Sequence, residues 1–230
     1  MPTGYEMTQM LHHRIRSAAM AIEIDHWHRG SADPKTTAWW ARTARTAGLG
    51  GYLWRVPRPG RLAAFLEIVP ELTDAEYWRL LGTIWTDTEM PNVNRALWLT
   101  LFMSKRGNRD QAMDAEGHAT VDCLPEPVQI YRGADLKYVR GMSWTTDPDT
   151  AAWFAHRFGH RGEVFTTTLA KRKILAYFDD RSEREVLIDP RRIRFAVLDW
   201  TEEQLNEAAE RVTNGCYRKR GTARFHAERK

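Results

Sequence analysis

The hydrophobic residues change their spacing once along the chain, at Leu124-Pro125-Glu126-Pro127. Before that point apolar residues recur at helical spacing. After it they gather into short runs of Val, Ile, Leu and Phe. A period near 3.6 fits helices, whereas a period of 2 or a brief continuous apolar run fits strands. A helical stretch followed by a strand-rich one predicts an α+β chain. The 230 residues are enough for one large domain or two small ones. Seven of the ten tryptophans fall before residue 100, which supports two structural units. The expected organisation is a helical N-terminal region over 1–123, a strand-rich domain over 124–215 and a basic tail over 216–230.

In the first region, amphipathic spacing predicts a helix over Met7 to Ile22. Asp33-Pro34 reads as an N-cap and first helical position, and Gly48, Gly50 and Gly51 as the stop of a helix ending at Ala47. A short helix follows over Arg61 to Ile68. Thr73-Asp74-Ala75-Glu76 is a capping box, opening a helix with Tyr77, Leu80, Leu81, Ile84 and Trp85 on its apolar side. Another helix is expected over Asn92 to Lys105, and a polar connector over Gly107 to Asp122. Strands are expected at Val128 to Arg132, Gly141 to Thr145, Val164 to Leu169, Ile174 to Tyr177, Glu185 to Ile188 and Ile193 to Leu198. One helix, Thr150 to Phe158, interrupts them, with Trp153, Phe154 and Phe158 as core. A last helix starts at Thr201 and stops near Asn214-Gly215.

Composition narrows the class. No apolar run approaches the roughly 18 residues of a membrane span, and Met1 to Arg16 lacks the apolar core of a signal peptide. Two cysteines without a CxxC make neither a disulfide framework nor a zinc site, so a reducing cytoplasm is expected. His12-His13 and the pair His26 and His28 read as surface histidines, and no metal is expected. The net charge is +4, and the excess gathers in Arg218, Lys219, Arg220, Arg224, Arg229 and Lys230 against Glu228. A solvated terminus is the simpler reading of this tail; contact with nucleic acid or an acidic partner is the other.

Three segments carry side chains suited to chemistry. Glu183 and Glu185 stand two apart where the Val186-Leu187-Ile188 strand begins, so they would share a face. Paired carboxylates there could divide the work of stabilising a cation and taking a proton. Tyr131-Arg132-Gly133 ends a strand with a guanidinium able to clamp a diphosphate. Ser143 and Thr145 would share a face of a strand running into the Thr150 helix. Taken singly, each also reads as ordinary surface or turn structure.

Together and in this order, the three segments resemble the arginine, serine, glutamate type of mono-ADP-ribosyltransferase, over roughly residues 124–199. The resemblance implies a split β-sandwich that takes NAD as substrate. It implies that Glu185 stabilises the oxocarbenium and bonds the ribose 2′-OH, and that Glu183 orients or deprotonates the acceptor. Arg132 would hold phosphate or the adjacent ribose, and Gly133 would let the nicotinamide amide meet the backbone, beside Tyr131. Ser143 and Thr145 would steady the pocket. The preceding loop, with Phe178 and Arg181, would read the target. The second strand departs from the family's Ser-Thr-Ser by reading Ser143-Trp144-Thr145. Glu at 183 resembles the branch that modifies protein arginine.

The expected partners are therefore a macromolecular target, with protein arginine first and RNA or DNA as the variant, and an antitoxin or inhibitor of a bacterial or phage-borne effector. The helical region would be a lid or a target-binding unit. Two further readings stand beside the transferase. One is an NAD glycohydrolase, with water as acceptor. The other is a basic, Trp-rich binding module in which Glu183 and Glu185 are merely a solvated strand end.

Overall fold

A computed structural model describes residues 48–88, 91–157 and 162–227, with side chains to residue 214. The expected helices at 7–22 and 34–47, the four histidines before residue 30, Phe158 and the side chains of the basic tail lie outside the described residues. The chain divides into two compact units, residues 1–114 and 115–230. Among the described residues, no helix is long and apolar enough to cross a membrane.

The described part of the first unit is helical. Residues 48–55 are helical across Gly48, Gly50 and Gly51, the glycines expected to stop a helix. Helix α1 spans Arg61–Ile68, α2 Asp74–Asp87 and α3 Arg95–Phe102. The capping box closes on both sides: the Glu76 N–H donates to Thr73 Oγ1 at 3.3 Å, and the Thr73 N–H donates to Glu76 Oε2 at 3.0 Å. Four orphan N–H groups at a helix start need such acceptors. The α2 stripe buries Tyr77, Leu80, Leu81, Ile84 and Trp85, as its spacing implies, and Trp78 with them. Trp85 meets Trp98 and Phe102 of α3 edge-to-face at 5.2 and 5.6 Å, a geometry the ring quadrupoles favour. Among the described residues of this unit, Trp78, Trp85 and Trp98 thus belong to a packed core, while Trp54 is exposed. The expected 92–105 helix is shorter, because Pro91–Asn94 form a 3-10 turn before α3.

The second unit opens with α4, Ala115–Cys123, where a connector was expected. Then come strands β1 Val128–Ala134 and β2 Ser143–Thr145, helix α5 Pro148–His156, strands β3 Glu163–Leu169, β4 Ile174–Phe178, β5 Glu185–Ile188 and β6 Ala196–Val197, and helix α6 Glu202–Ala227. Helices followed by an antiparallel sheet make the chain α+β. The strands form one sheet in the order β4-β5-β2-β1-β3-β6, every pair antiparallel. β1 and β3 share seven registered pairs, but β1 and β2 share one, Tyr131 with Thr145. Two three-stranded halves therefore meet at a narrow join. α6 runs past Asn214-Gly215, since an interior glycine costs only about 1 kcal/mol against alanine.

Alternation along β1 turns Val128 and Ile130 into the core with Phe165 of β3, and Tyr131 and Gly133 to the other face. That second face receives α5. The helix presents Ala151, Ala152 and Ala155, which form a small-residue cluster with Val164 and with Ala208 of α6; Tyr131 packs against it. The first turn of α5 is tied to α6 by Arg211, which donates to both oxygens of Asp149 at 2.7 and 2.8 Å. Asp147 is the α5 N-cap and accepts from the Asp149 N–H at 3.2 Å.

Candidate functional site

Strand pairing brings four of the expected site residues into one row. Phe178 of β4 stands opposite Glu185 of β5, Glu185 opposite Thr145 of β2, and Thr145 opposite Tyr131 of β1. Directly paired antiparallel residues project to the same face. The row therefore lies on the face that carries α5. Ser143 sits one pleat away, opposite Leu187, on the same face.

Glu185 is 5% exposed and, among the described residues, is the one Asp, Glu, Lys, Arg or His that is buried. Ionisable side chains are placed in cores only when something there requires them. β5 is buried at all four positions, which explains its uninterrupted Val-Leu-Ile run and makes the carboxylate at its head the exception.

Glu183 does not continue the strand. β5 begins at Glu185, and Arg184 has a left-handed backbone at φ 46°, as does Ser182 at φ 56°. Strand alternation therefore does not relate Glu183 to Glu185, which corrects the shared-face argument. A left-handed residue with a side chain costs on the order of 1–2 kcal/mol, so neighbours must hold this loop. Asp179 does so from below: its carbonyl accepts from the Ser182 N–H at 2.8 Å and its Oδ1 from the Arg184 N–H at 2.9 Å. Thr145 does so from the sheet: its hydroxyl donates to the Glu183 carbonyl at 2.8 Å and accepts from the Asp147 N–H at 3.0 Å. The Thr146 N–H adds a bond to the Arg184 carbonyl at 3.2 Å.

The Glu183 side chain is 22% exposed and bonds Arg181 Nη2 at 3.1 Å. Burial raises its carboxyl above the usual carboxylate range, opposed by the nearby Arg181 and Arg157 and assisted by Asp179. Arg157, at the end of α5, lies over the rings of Phe154 and Trp153 at 4.5 and 5.3 Å. Both rings, expected as core, are half-buried.

The remaining expected residues take other places. Arg132 alternates to the face opposite Tyr131; its Nε donates to the Tyr138 carbonyl at 3.2 Å and its Nη1 to the Ser143 carbonyl. Gly141 leaves room for that guanidinium, since a Cβ there would stand 2.3 Å from Nη2. Arg132 thus braces the connection between β1 and β2. The side of Gly133 where a Cβ would stand is taken by α5, 1.8 Å from the Ala151 carbonyl oxygen. Close helix packing accounts for this glycine. Phe178 is the last residue of β4 and 9% exposed, not a loop residue facing solvent, while Arg181 is in the loop and about half exposed.

Asp179 and Arg157 were not singled out from the sequence. Asp179-Asp180 ahead of Arg181-Ser182 carries a turn signal that points to a loop brace. Nothing local marks Arg157, whose place follows from the length of α5.

Replacing Thr145 tests the brace. Thr145→Val keeps the shape but leaves the Glu183 carbonyl and the Asp147 N–H without their partner. It should cost about 1–3 kcal/mol in urea unfolding, whereas Thr145→Ser should lose less. A Val variant as stable as the parent would remove Thr145 from this role.

Comparison with protein-family models, with curated proteins and with solved structures finds no match to this chain.

Proposed function

We propose that the strand-rich unit is an NAD-dependent mono-ADP-ribosyltransferase that passes ADP-ribose to a macromolecular target in the cytoplasm. The observation that carries the reading is the buried Glu185, set in a row with Thr145 and Phe178 beside a loop braced in left-handed backbone. Buried carboxylates and stored backbone strain gather at functional sites. The order of the arginine, serine and glutamate strands agrees with the family resemblance. The six strands form one open antiparallel sheet, and in this reading its two three-stranded halves, joined by a single registered pair, would correspond to the halves of the expected split β-sandwich.

In this reading the bond between C1″ of the nicotinamide ribose and the nicotinamide nitrogen breaks, and its electron pair leaves with nicotinamide. Glu185 stabilises the positive charge that develops on the ribose, in surroundings where water screens it little. A lone pair of the acceptor forms the new bond to C1″. The acceptor's proton passes to Glu183 and then to water. Thr145 holds the Glu183 segment against β2, and Ser143 borders the same face. Arg132 can meet a diphosphate only by sharing donors already engaged with backbone carbonyls.

The test is incubation of the purified chain with labelled NAD and a cell lysate, following label into protein, nucleic acid and free ADP-ribose. Label on a macromolecule supports the transferase. Free ADP-ribose alone makes the protein a glycohydrolase, with water in the acceptor's place. No NAD turnover, in a folded protein, removes both enzyme readings and leaves the binding module.

A further inference from the structure

We propose that the corner of the sheet where β4 begins and β5 ends is a docking surface for the phosphate backbone of a nucleic acid. It stands apart from the row that carries Glu185 and does not depend on the transferase reading.

Strand register builds the corner. Ile174 of β4 pairs with Ile188 of β5, so the turn leading into β4, Lys171–Lys173, lies beside the turn leaving β5, Pro190–Arg192. Arg140 joins them: its Nη1 donates to the Pro190 carbonyl at 3.2 Å, and its guanidinium lies 5.4 Å from the centre of the Phe195 ring. Arg194 is fixed near the end of β3 that leads to Lys171, because its carbonyl accepts from Thr167 Oγ1 at 2.5 Å. Lys171, Arg172, Lys173, Arg191, Arg192 and Arg194 are thereby gathered from two separate segments, with Arg140 beside them.

The acids of the corner do not balance these cations. Asp189 is engaged by Arg191 at 2.7 Å. Lys171 meets the end of α4, where Asp122 and Glu126 stand. Asp135 and Lys137, in the turn before Arg140, pair with each other. Glu163 and Asp199 belong to the other end of β3, and Asp179 and Asp180 to the other end of β4. Seven cations therefore face three acids. Arg172, Lys173, Arg192 and Arg194 are exposed, and among the described residues no carboxylate bonds any of them.

The partner follows from what the two turns expose, which is charge alone. A protein interface is organised around aromatic or aliphatic anchors, and a bilayer surface takes up an apolar face beside the charges. Residues 171–173 and 190–194 offer only Ile193, which is half-buried, and Pro190, which is buried. A run of phosphates needs no such anchor. Five of the seven cations are arginines, whose planar fork matches phosphate oxygens with two parallel bonds. Binding without base contacts is indifferent to sequence.

The test is anisotropy of fluorescein-labelled DNA and RNA duplexes of one mixed sequence, titrated with the full chain over a range of salt. Each phosphate contact contributes about 0.9 to the slope of log affinity against log salt on duplex DNA. Arg172→Gln, Lys173→Gln, Arg192→Gln and Arg194→Gln combined should flatten that slope by about 2 or more and weaken binding about tenfold or more. The matched control neutralises four cations of the basic tail, Arg218, Lys219, Arg220 and Arg224, to Gln and should lose less. Tighter binding to DNA or to RNA identifies the source of the phosphates. A corner variant that loses no more than the tail variant overturns the proposal, as does a parent that binds neither duplex. Binding only to vesicles of phosphatidylserine and phosphatidylcholine overturns it in favour of a membrane surface. Nicotinamide release is read separately and should be unchanged in the corner variant. Its absence from the parent would end the enzyme reading and leave this surface standing.

Discussion

Glu185→Gln should abolish most nicotinamide release, lowering its rate by about 10³-fold while the protein remains folded. The amide fills the volume of the carboxylate and lacks its charge. Glu185 is 5% exposed at the head of a strand that is buried throughout. The near-isosteric amide keeps the packing of β5, so the variant is expected to remain folded. Retained folding with lost turnover distinguishes a residue kept for chemistry from one kept for structure. Thermal unfolding and nicotinamide release from NAD, measured on the same preparation, give both quantities. Undiminished release from folded Glu185→Gln would sink the mechanism. Glu183→Gln provides the contrast, since labelling of the acceptor should fall more than nicotinamide release. The raised Glu183 carboxyl sets the pH sense. Its contribution to stability is fully present below the ordinary carboxylate range and is lost as pH rises through its folded value, whereas its action as a base grows over that same rise.

What the chain's pattern reveals about this site depends on distance along the backbone. Period-2 alternation identifies Ser143 with Thr145, and the apolar run identifies β5 with Glu185 at its head, because both are local. The row from Phe178 to Tyr131 needs register between strands, which no segment states by itself. Alternation fails at Glu183 because Arg184 is left-handed, a conformation held by Asp179 and Thr145 from outside the motif. The bracing by Arg132 is not legible locally either, since its partners, the carbonyls of Tyr138 and Ser143, come from a turn and a strand still to follow. Capping boxes are different, being closed within four residues, so the Thr73 and Thr201 starts are both legible. Trp153 and Phe154 read as core by composition. They are half-buried because the alanines beside them take the packed face.

Gly133→Ala should destabilise the strand-rich unit by about 3 kcal/mol or more. The added carbon would stand 1.8 Å from the Ala151 carbonyl oxygen, 2.5 Å from the Ala155 nitrogen and 2.9 Å from the Ala151 carbonyl carbon. All three are backbone atoms of α5, so no side chain can swing aside. The helix itself would have to lift. It is held against α6 by the alanine cluster and by the Arg211–Asp149 pair, and both contacts would be disturbed together. Gly141→Ala is the control. Its added carbon meets the end of a flexible side chain, the Arg132 guanidinium, so displacement of that group should cost less than displacement of a helix. Urea unfolding of the two variants beside the parent gives the order. A Gly133→Ala protein within about 1 kcal/mol of the parent would mean that α5 is not seated on β1 as described. The consequence reaches the chemistry, because α5 carries Arg157, which acts on Glu183. Lifting the helix would move that guanidinium and weaken acceptor labelling, even though Gly133 lies on neither carboxylate's strand.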